Sequence, residues 1–306
     1  MVLDMNTFLK TIHDTPYSEI SKTYNASGGT AINYNKGKKI MQKKWNSKKQ
    51  YDVCYLLYDA SKWGGVKGTI AQANGLVDRG YRVAIVCRTA KPDWMEVLTD
   101  FIVSANLAAK DIPSSDIIIG TWYPTVPVGY KANKGVCVHY CRGYEANIYS
   151  LTLEQKKYIE NIYKLPTFKI ANSRHVGKFL QNNFPGNVYV VHNDIDHSVF
   201  YPDSKRNWGE KAIRILIVGP YEVKLKGVRD CLEACRISCK TLGASLNVIR
   251  VSQTPLQAEE NQLVSNLGFS YEYRLNLSEK EMASLYNECD ILLSGSYPFG
   301  DSFGRP

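Results

Sequence analysis

Short apolar runs alternate with glycine-bearing loops and helical patterns along most of the chain, and this alternation limits the possible folds. Residues 52–58 have the composition of a buried strand, and a loop with paired glycines follows. Residues 67–77 then have helical spacing, and residues 82–87 form a second apolar run. A strand, a crossover helix and a second strand in this order favour parallel pairing. The sequence therefore predicts an α/β protein.

The alternation continues to the end of the chain and predicts two such domains. A polar segment with Pro202, residues 197–211, interrupts it and is interpreted as the domain boundary. Ser278-Glu-Lys-Glu281 is a capping-box pattern that predicts a helix start. Further strands are predicted at 116–120, 135–139, 167–171, 187–192, 213–218, 245–251 and 269–273, with a buried parallel strand at 291–293, and helices at 151–163, 173–180, 227–241, 255–265 and 278–287.

Length and composition indicate a soluble protein with two ordinary domains. The 306 residues allow two cores, and the hydrophobic and charged contents of 44% and 22% are typical of globular proteins. No apolar run reaches the roughly 18 residues of a membrane span, and no signal-peptide pattern begins the chain. A cytoplasmic location is expected. The predicted domains are a leader at 1–50, a first domain at 51–200 and a second domain at 201–306.

The leader carries much of the formal net charge of +9. Residues 1–50 contain nine lysines and three acidic residues, so 9 − 3 = +6 lies there, with seven lysines between Lys36 and Lys49. A solvated tail is the first interpretation, and peripheral attachment to an anionic membrane surface is the second. Nucleic acid is disfavoured as a partner because no zinc spacing, RNA-binding aromatic pattern or recognition helix accompanies the charge.

Eight cysteines are present, but their spacing is not that of a metal site or a disulfide framework. No C-x-x-C pair occurs, and no cysteine lies near a histidine at metal-ligand spacing. Cys231, Cys235 and Cys239 recur every four residues, as one stripe of a helix does. We therefore expect reduced and mostly buried thiols.

Three glycine-bearing loops follow predicted strands, at Trp63-Gly64-Gly65, at 219–227 and at 295–304. Ligands of open α/β sheets bind at the carboxyl ends of strands, so the three loops are predicted to face one interdomain cleft. Lys226 precedes a predicted helix start, where a cation and free N–H groups favour an anion, and a surface lysine without a ligand is the alternative. The dinucleotide pattern G-x-G-x-x-G is absent, which disfavours an oxidoreductase.

The motifs in their order along residues 51–306 resemble the family-four glycosyltransferases, retaining enzymes of GT-B architecture. The resemblance rests on Trp63-Gly-Gly-Val66 with Arg79-Gly-Tyr-Arg-Val83, and on His139 after an apolar strand. It continues with Ile170-Ala-Asn-Ser173, Val191-His-Asn-Asp-Ile-Asp196, Ile215-Leu-Ile-Val-Gly219, Lys226-Gly227, Leu285-Tyr-Asn-Glu-Cys-Asp290 and Phe299-Gly-Asp-Ser-Phe-Gly-Arg-Pro306. The implied fold is two Rossmann-like α/β/α domains that face a cleft.

The resemblance implies that the second domain holds a nucleotide-diphosphate sugar, without metal or other cofactor. Lys226 matches the family's phosphate-binding lysine, and Gly219 precedes the position of a companion arginine. Pro220-Tyr221 replaces that arginine here, so Lys224 is interpreted as a substitute charge. Gly64 and Gly65 would approach the diphosphate from the first domain.

The resemblance also assigns the residues nearest the reacting sugar. His139 and Asp301 are the implied catalytic residues, and Asp301 occupies the first carboxylate position of the family's E-x7-E motif. The second carboxylate would lie three residues past Pro306, so the second domain is expected to be truncated. Arg142 and Glu145 are candidates for contact with the acceptor or the donor, and a solvated pair in a loop is the alternative interpretation. The expected donor-sugar loop comprises Gly300, Ser302, Phe303 and Gly304.

The leading interpretation is a retaining hexosyltransferase-type glycosyltransferase that acts on a glycan or a lipid-linked acceptor. The motifs around Pro92-Asp-Trp94 and Thr121-Trp-Tyr-Pro124 look most like members that build bacterial surface glycans. A nucleotide-sugar- or glycan-binding protein without turnover is the alternative, favoured by the missing arginine and by aspartate in place of glutamate. A non-hydrolysing sugar epimerase of similar architecture is a third interpretation.

Overall fold

Two parallel β-sheets, each flanked by helices, form the centres of two compact units. The computed structural model describes residues 49–147, 151–193, 195–202, 212–265 and 268–296. These residues divide into one unit up to residue 193 and a second from residue 195 onward. No helix among the described residues is long and apolar enough to cross a membrane.

The first unit contains a seven-stranded parallel sheet in the order β3-β2-β1-β4-β5-β6-β7. Its central strands are almost completely buried, as expected for a parallel sheet covered on both faces. The strands are β1 (Tyr51–Leu57), β2 (Val83–Cys87), β3 (Asp100–Val103), β4 (Ser115–Gly120), β5 (Val136–Cys141), β6 (Phe168–Ala171) and β7 (Val188–Val190).

Four helices accompany this sheet: α1 (Gly64–Val77), α2 (Val126–Ala132), α3 (Leu153–Tyr163) and α4 (Arg174–Asn183). Helix α1 packs on one face through residues at helical spacing, among them Ile70, Ala73 and Leu76. Helices α3 and α4 pack together on another cluster that includes Tyr163 and Leu180. Full burial of one such aliphatic side chain contributes about 1.5–3 kcal/mol.

The second unit contains a four-stranded parallel sheet in the order β10-β9-β8-β11. Its strands are β8 (Ile213–Val218), β9 (Leu246–Ser252), β10 (Ser270–Leu275) and β11 (Ile291–Leu292), and its helices are α5 (Val228–Leu242), α6 (Ala258–Val264) and α7 (Glu279–Glu288). Helix α5 packs on the sheet through Val228, Cys231, Leu232 and Cys235.

The helix caps follow the sequence closely. The Ser173 hydroxyl accepts a hydrogen bond from the Val176 N–H at the start of α4. The predicted capping box at Ser278 and Glu281 is confirmed, with both reciprocal hydrogen bonds formed. A third cap, at Thr152 and Gln155, was not predicted and begins α3. Local side-chain chemistry therefore sets the starts of these three helices.

Three parts of the sequence interpretation differ from the structure. Strand β3 and helix α2 were not predicted. The strand at 291–293 is parallel as expected, but the prediction that it is buried is wrong. Ile291 and Leu292 are 46% and 47% exposed, because β11 is the edge strand of its sheet. The expected burial of the cysteines is confirmed, since all of them except the half-buried Cys239 are buried.

The lysine-rich leader lies almost entirely outside the described residues. Lys49 is the one lysine of the Lys36–Lys49 cluster that the structure describes. Its ammonium group lies 2.5 Å from an oxygen of Asp116 and 3.0 Å from one of Asp52, so it is bound to the first unit.

Candidate functional site

The topology of the second sheet defines a crevice between β8 and β11. The chain runs from β8 to β9 and β10 on one side and then returns to place β11 on the other side of β8. At such a switch point, the loops that follow two adjacent strands diverge and leave room for a ligand. The loops here are 219–227 after β8 and the residues after Leu292, which brings two of the three glycine loops together.

Gly219 and Lys226 meet in the loop after β8. Gly219 has a φ of +127°, a conformation that favours glycine, and a Cβ there would lie 3.5 Å from the Lys226 Cγ. A short 3₁₀ turn, Lys224–Lys226, follows and leads into α5. Lys226 is half-buried, whereas Lys224 is exposed. The structure therefore places Lys226, rather than Lys224, against the glycine.

Gly227 is the N-cap of α5 and packs directly on the backbone of Gly295. Gly227 has a φ of +61°, and a Cβ built on it would lie 2.0 Å from the Gly295 carbonyl oxygen. A Cβ on Gly295 would lie 2.5 Å from the Gly227 carbonyl oxygen and 2.9 Å from the Cys231 sulfur. Both positions need glycine because the two loops approach each other at backbone distance.

The start of α5 is suited to an anion. The first N–H groups of a helix have no partner within the helix, and the macrodipole adds about half a positive charge at that end. Helix α5 has no side-chain cap at Gly227, and Lys226 immediately precedes it. Asp230 in the first turn is the one acidic residue there. Helix, lysine and glycines thus form an anion-binding arrangement at the switch point.

Arg250 supports this loop from below and was missed in the sequence analysis. It lies on β9, is 0% exposed, and donates from Nη2 to the Gly219 carbonyl at 2.9 Å. Its Nη1 donates to the carbonyls of Ile217 and Val251, at 3.1 and 3.0 Å. One guanidinium therefore fixes the backbone where β8 passes into the glycine loop.

A buried carboxylate neutralises Arg250. Glu260, on α6, is also 0% exposed and accepts from the Arg250 Nε at 2.7 Å and from the Tyr271 hydroxyl at 2.9 Å. Burial, followed by the charge of Glu260, raises the pKa of Tyr271. The sequence signal was a single arginine inside the apolar run Val248–Val251, because a charge on a buried strand requires a partner.

In the first unit, the structure brings Gly65 and Arg142 together. Gly64 and Gly65 are the first two residues of α1. A Cβ on Gly65 would lie 2.3 Å from Nη1 of Arg142, so a larger residue there would require the guanidinium to move. Arg142 also donates from Nη2 to the Thr69 hydroxyl on α1 and lies 4.9 Å from the centre of the Tyr140 ring.

The Arg142 guanidinium is costly to keep charged where it lies. Burial lowers its pKa, and the Tyr140 phenol and the Glu145 carboxylate oppose this effect. A cation beside the N-terminus of α1 also faces the positive end of that helix, which is electrostatically unfavourable without an anion. Gly64, Gly65 and Arg142 together are thus suited to bind a phosphate or a carboxylate.

Glu145 lies close to Arg142 and accepts a hydrogen bond from Tyr163. The Tyr163 hydroxyl donates to an oxygen of Glu145 and lies 2.9 Å from the Gly143 carbonyl. Burial raises the pKa of Glu145, and the Tyr163 hydrogen bond and the Arg142 charge act in the opposite direction. The predicted neighbours Arg142 and Glu145 therefore lie in one half-buried polar cluster.

His139 lies beneath this cluster and is 0% exposed. Its ring centre is 4.5 Å from that of Tyr163, and neither ring nitrogen has a hydrogen-bond partner among the described residues. Burial and the charge of Lys169 on the adjacent strand lower the pKa of His139 to about 3. The imidazole is therefore neutral at ordinary pH and has no contact with solvent in this structure.

The remaining predicted site residues lie outside the described residues. These are Asp301 and the sugar-loop residues Gly300, Ser302, Phe303 and Gly304. The structure thus joins Gly219, Lys226 and Gly227 in the second unit, and Gly65, Arg142 and Glu145 in the first. Within the described ranges, no three His, Cys, Asp or Glu side chains form a group that could hold a metal ion.

The chain is similar to solved glycosyltransferase structures, although its sequence is not. No protein-family model and no curated protein sequence matches the chain. The structure of Anabaena HepE in complex with UDP and glucose matches with a TM-score of 0.63 and 13% identity, over 84% of this chain and 77% of HepE. A glycosyltransferase from Rickettsia africae matches with a TM-score of 0.57 and 18% identity, over 81% and 73%.

WaaG, a glycosyltransferase involved in lipopolysaccharide biosynthesis, gives a TM-score of 0.53 at 15% identity, over 80% of this chain and 75% of WaaG. At such low identities the similarity concerns the fold. Two successive Rossmann-like α/β units with parallel sheets are what these structures share with the chain. The predicted fold class is confirmed: the chain has the fold of the GT-B glycosyltransferases.

Proposed function

We propose that this protein is a glycosyltransferase that moves a sugar from a nucleotide-diphosphate sugar to a glycan or lipid-linked acceptor. Three of the solved structures with this fold contain UDP-glucose, UDP with glucose, or UDP, all in Anabaena HepE. The motif resemblance adds retention of the anomeric configuration to the proposal. Support from the chain itself comes from the switch point of the second unit.

The observation that carries the proposal is the arrangement of Gly219, Lys226 and Gly227 at the start of α5. A diphosphate needs N–H donors, a positive charge and close access to the backbone. The helix start supplies the donors, Lys226 the charge, and Gly219 and Gly227 the access. A nucleoside diphosphate is therefore the ligand class that this crevice fits best.

In the proposed reaction, the bond between the anomeric carbon and the diphosphate oxygen breaks, and the diphosphate leaves with the electron pair. The acceptor hydroxyl oxygen forms the new bond to that carbon, and its proton passes to the departing diphosphate. Negative charge grows on the diphosphate in the transition state, where prearranged donors and cations contribute most. We assign this role to Lys226 and the α5 N-terminus, without a metal ion.

Residues of the first unit complete the proposal. We assign Arg142 and the backbone of Gly64 and Gly65 to an anionic group of the donor or the acceptor. Glu145 is proposed to accept hydrogen bonds from acceptor hydroxyls, and Asp301 to approach the donor sugar. His139 is neutral and fully buried in this structure, so we assign it neither a proton transfer nor a direct contact with the substrate.

Nucleotide binding by Lys226 tests the proposal most directly. In thermal shift with the full chain, UDP, GDP or dTDP at millimolar concentration should raise the melting temperature. Lys226→Ala should bind the same nucleotide roughly 10- to 100-fold more weakly, as expected for loss of a charge-assisted hydrogen bond. Lys240→Ala is the matched control, because Lys240 lies exposed in the last turn of the same helix.

Turnover is measured with isotope-labelled UDP-, GDP- and dTDP-sugars. Release of labelled sugar, or its transfer, should persist in excess EDTA if no metal is required. Binding without any release or transfer would favour the non-catalytic binding protein instead. Absence of stabilisation by all three nucleotides would reject the nucleotide site itself.

A further inference from the structure

The switch point of the first sheet lies between β1 and β4, and aromatic rings surround it. The chain runs from β1 to β2 and β3 on one side and then crosses to place β4 on the other side of β1. Tyr58 directly follows β1, and Trp122 and Tyr123 follow β4 after Thr121. The position at which an open α/β sheet binds its ligand is therefore lined by aromatic side chains.

These rings form a continuous row, here called the aromatic row, which ends at Tyr158 on α3. The Tyr58 and Trp122 ring centres are 5.1 Å apart, and those of Trp122 and Tyr123 are 5.0 Å apart. Tyr123 and Tyr158 are 6.5 Å apart, and all three pairs are edge-to-face. The guanidinium of Arg88, which follows β2, lies 4.3 Å from the centre of the Tyr58 ring.

Three of the four rings of the aromatic row are exposed, and the fourth, Tyr123, is half-buried. Tyr58 is 36% exposed, Trp122 is 37% exposed and Tyr158 is 54% exposed. A contiguous exposed apolar surface on a soluble protein commonly marks a binding site. Every ring in this row also carries a polar atom, either a tyrosine hydroxyl or the indole N–H.

The backbone beneath the row is fixed before any ligand binds. The Thr121 hydroxyl donates to the Leu56 carbonyl at 2.7 Å and thereby joins the ends of β4 and β1. The Thr125 hydroxyl donates to the Trp122 carbonyl at 2.7 Å and accepts from the Trp122 N–H at 3.3 Å. Preorganised aromatic surfaces of this kind bind with a small loss of conformational entropy.

The two switch points have opposite chemistry. The crevice of the second unit is formed by glycines, a lysine and a helix start, which suits phosphate. That of the first unit presents flat apolar rings with polar edges. A pyranose has the matching character, because its C–H groups form apolar faces while its hydroxyls project at the rim. A rigid aromatic surface with adaptable polar groups at its border is suited to such a ligand.

Polar partners for hydroxyl groups lie at the border of the row. Glu145 lies close enough to Tyr123 that its charge, after burial, raises the pKa of that phenol. Arg88 lies at the opposite end and donates from Nε to the Ala105 carbonyl at 3.1 Å. Guanidinium and carboxylate groups can donate to and accept from sugar hydroxyls.

We propose that the aromatic row of Tyr58, Trp122, Tyr123 and Tyr158 binds pyranose rings of a glycan acceptor. This inference rests on the proposed glycosyltransferase function and names the substrate class of its first unit. A lipid-linked acceptor would then be recognised here through its sugar rather than through its lipid.

The test uses the full chain on a printed array of oligosaccharides, followed by titration of each glycan that binds. Tyr58→Ala and Trp122→Ala should each weaken binding about tenfold, the loss typical of a central aromatic contact. Trp122→Phe retains a flat ring and should restore most of the affinity. Tyr201→Ala is the control, since Tyr201 is 62% exposed but belongs to the second unit.

Thermal stabilisation by UDP, measured on the same variants, separates this inference from the donor site. If UDP stabilises the protein but no glycan binds, or if all variants bind a glycan as the wild type does, the aromatic row is not a glycan site. Binding to phosphatidylglycerol vesicles that Trp122→Ala and Tyr58→Ala abolish would assign the row to a membrane surface and overturn the proposal. If the wild type binds a glycan but UDP does not stabilise it, the donor site is rejected and the glycan site is retained.

Discussion

Arg250 and Glu260 form a fully buried ion pair that joins β9 to α6 and supports the loop after β8. Charges without solvent contact are tolerated only when they are paired and hydrogen-bonded. Three carbonyls and one carboxylate satisfy Arg250, whereas one oxygen of Glu260 has no partner among the described residues. Removal of either partner would therefore leave an uncompensated buried charge.

Glu260→Ala should lower the free energy of unfolding by about 3–5 kcal/mol, because Arg250 would remain buried without its counter-charge. Glu259→Ala is the matched control: Glu259 is 67% exposed, pairs with the exposed Arg229 at 3.1 Å, and should cost less than about 1 kcal/mol. Urea unfolding of both variants measures the difference. Similar losses in the two would mean that the buried pair has no special contribution.

The double variant Arg250→Met with Glu260→Leu separates stability from positioning. Apolar replacement of both partners often restores stability. The support of the Gly219 carbonyl would still be lost, so UDP should stabilise this variant less than the wild type.

Single residues were the hardest part of the site to foresee. Lys226 and the glycines could be found from sequence because they lie in one short loop. The contact of Gly65 with Arg142 joins residues 77 positions apart, and Arg250 reaches Gly219 from another strand. Such contacts depend on which strands become neighbours, which local patterns do not determine.

The start of α5 depends on close approach between two loops, and the glycines there can be tested in pairs. Gly227 and Gly243 flank the same helix with nearly the same backbone conformation, φ +61° and φ +65°. A Cβ on Gly227 would collide with the Gly295 carbonyl, whereas nothing lies within 4 Å of a Cβ on Gly243.

Gly227→Ala and Gly243→Ala should each lower the free energy of unfolding by about 1–2 kcal/mol, because alanine is strained in the left-handed conformation. Only Gly227→Ala should in addition push the loop after β11 away and weaken UDP binding at least about tenfold. Thermal melts with and without UDP measure both effects. Equal UDP affinity in the two variants would show that the Gly227–Gly295 approach does not shape the site.

Most elements could be predicted because their apolar periodicity is strong. Strand β3 was missed because it is a four-residue edge strand with exposed ends, so it lacks a continuous apolar run. Helix α2 was missed because Pro127 and Gly129 resemble a loop. Proline is tolerated in a first helical turn, and Gly129 lies close to Ile118 and Leu56, where a larger residue would not fit easily.

At the scale of the whole molecule, both units have a parallel sheet flanked by helices, but the loops at their switch points carry different residue types. Alternation of strands and helices predicted this architecture, since a parallel sheet follows from crossover connections. The character of each crevice could not be predicted in the same way, because it depends on strand order. Both sheets have a switch point, and the loops there differ in glycine, lysine and aromatic content.

Hydrogen exchange measured on the whole chain should therefore slow in UDP at the two loops of the switch point in the second unit. Amides of residues 219–231 and 293–296 should exchange more slowly in saturating UDP, because the ligand would hold the loops after β8 and β11 together. Strand Ser115–Gly120 in the first unit serves as the internal control and should be unchanged. Slowing in the first unit without any in the second would contradict the assignment of the nucleotide to the second unit.

Arg250 also affects the register in which β9 pairs with β8. A parallel strand that slips by one residue turns every side chain to the opposite face. After such a slip of β9, the guanidinium would leave Glu260 and the carbonyls of Ile217 and Gly219 and would enter an apolar layer. Only the correct register of β9 against β8 gives the Arg250 guanidinium its hydrogen-bond partners and its counter-charge. Arg250 therefore helps to determine the register of the sheet.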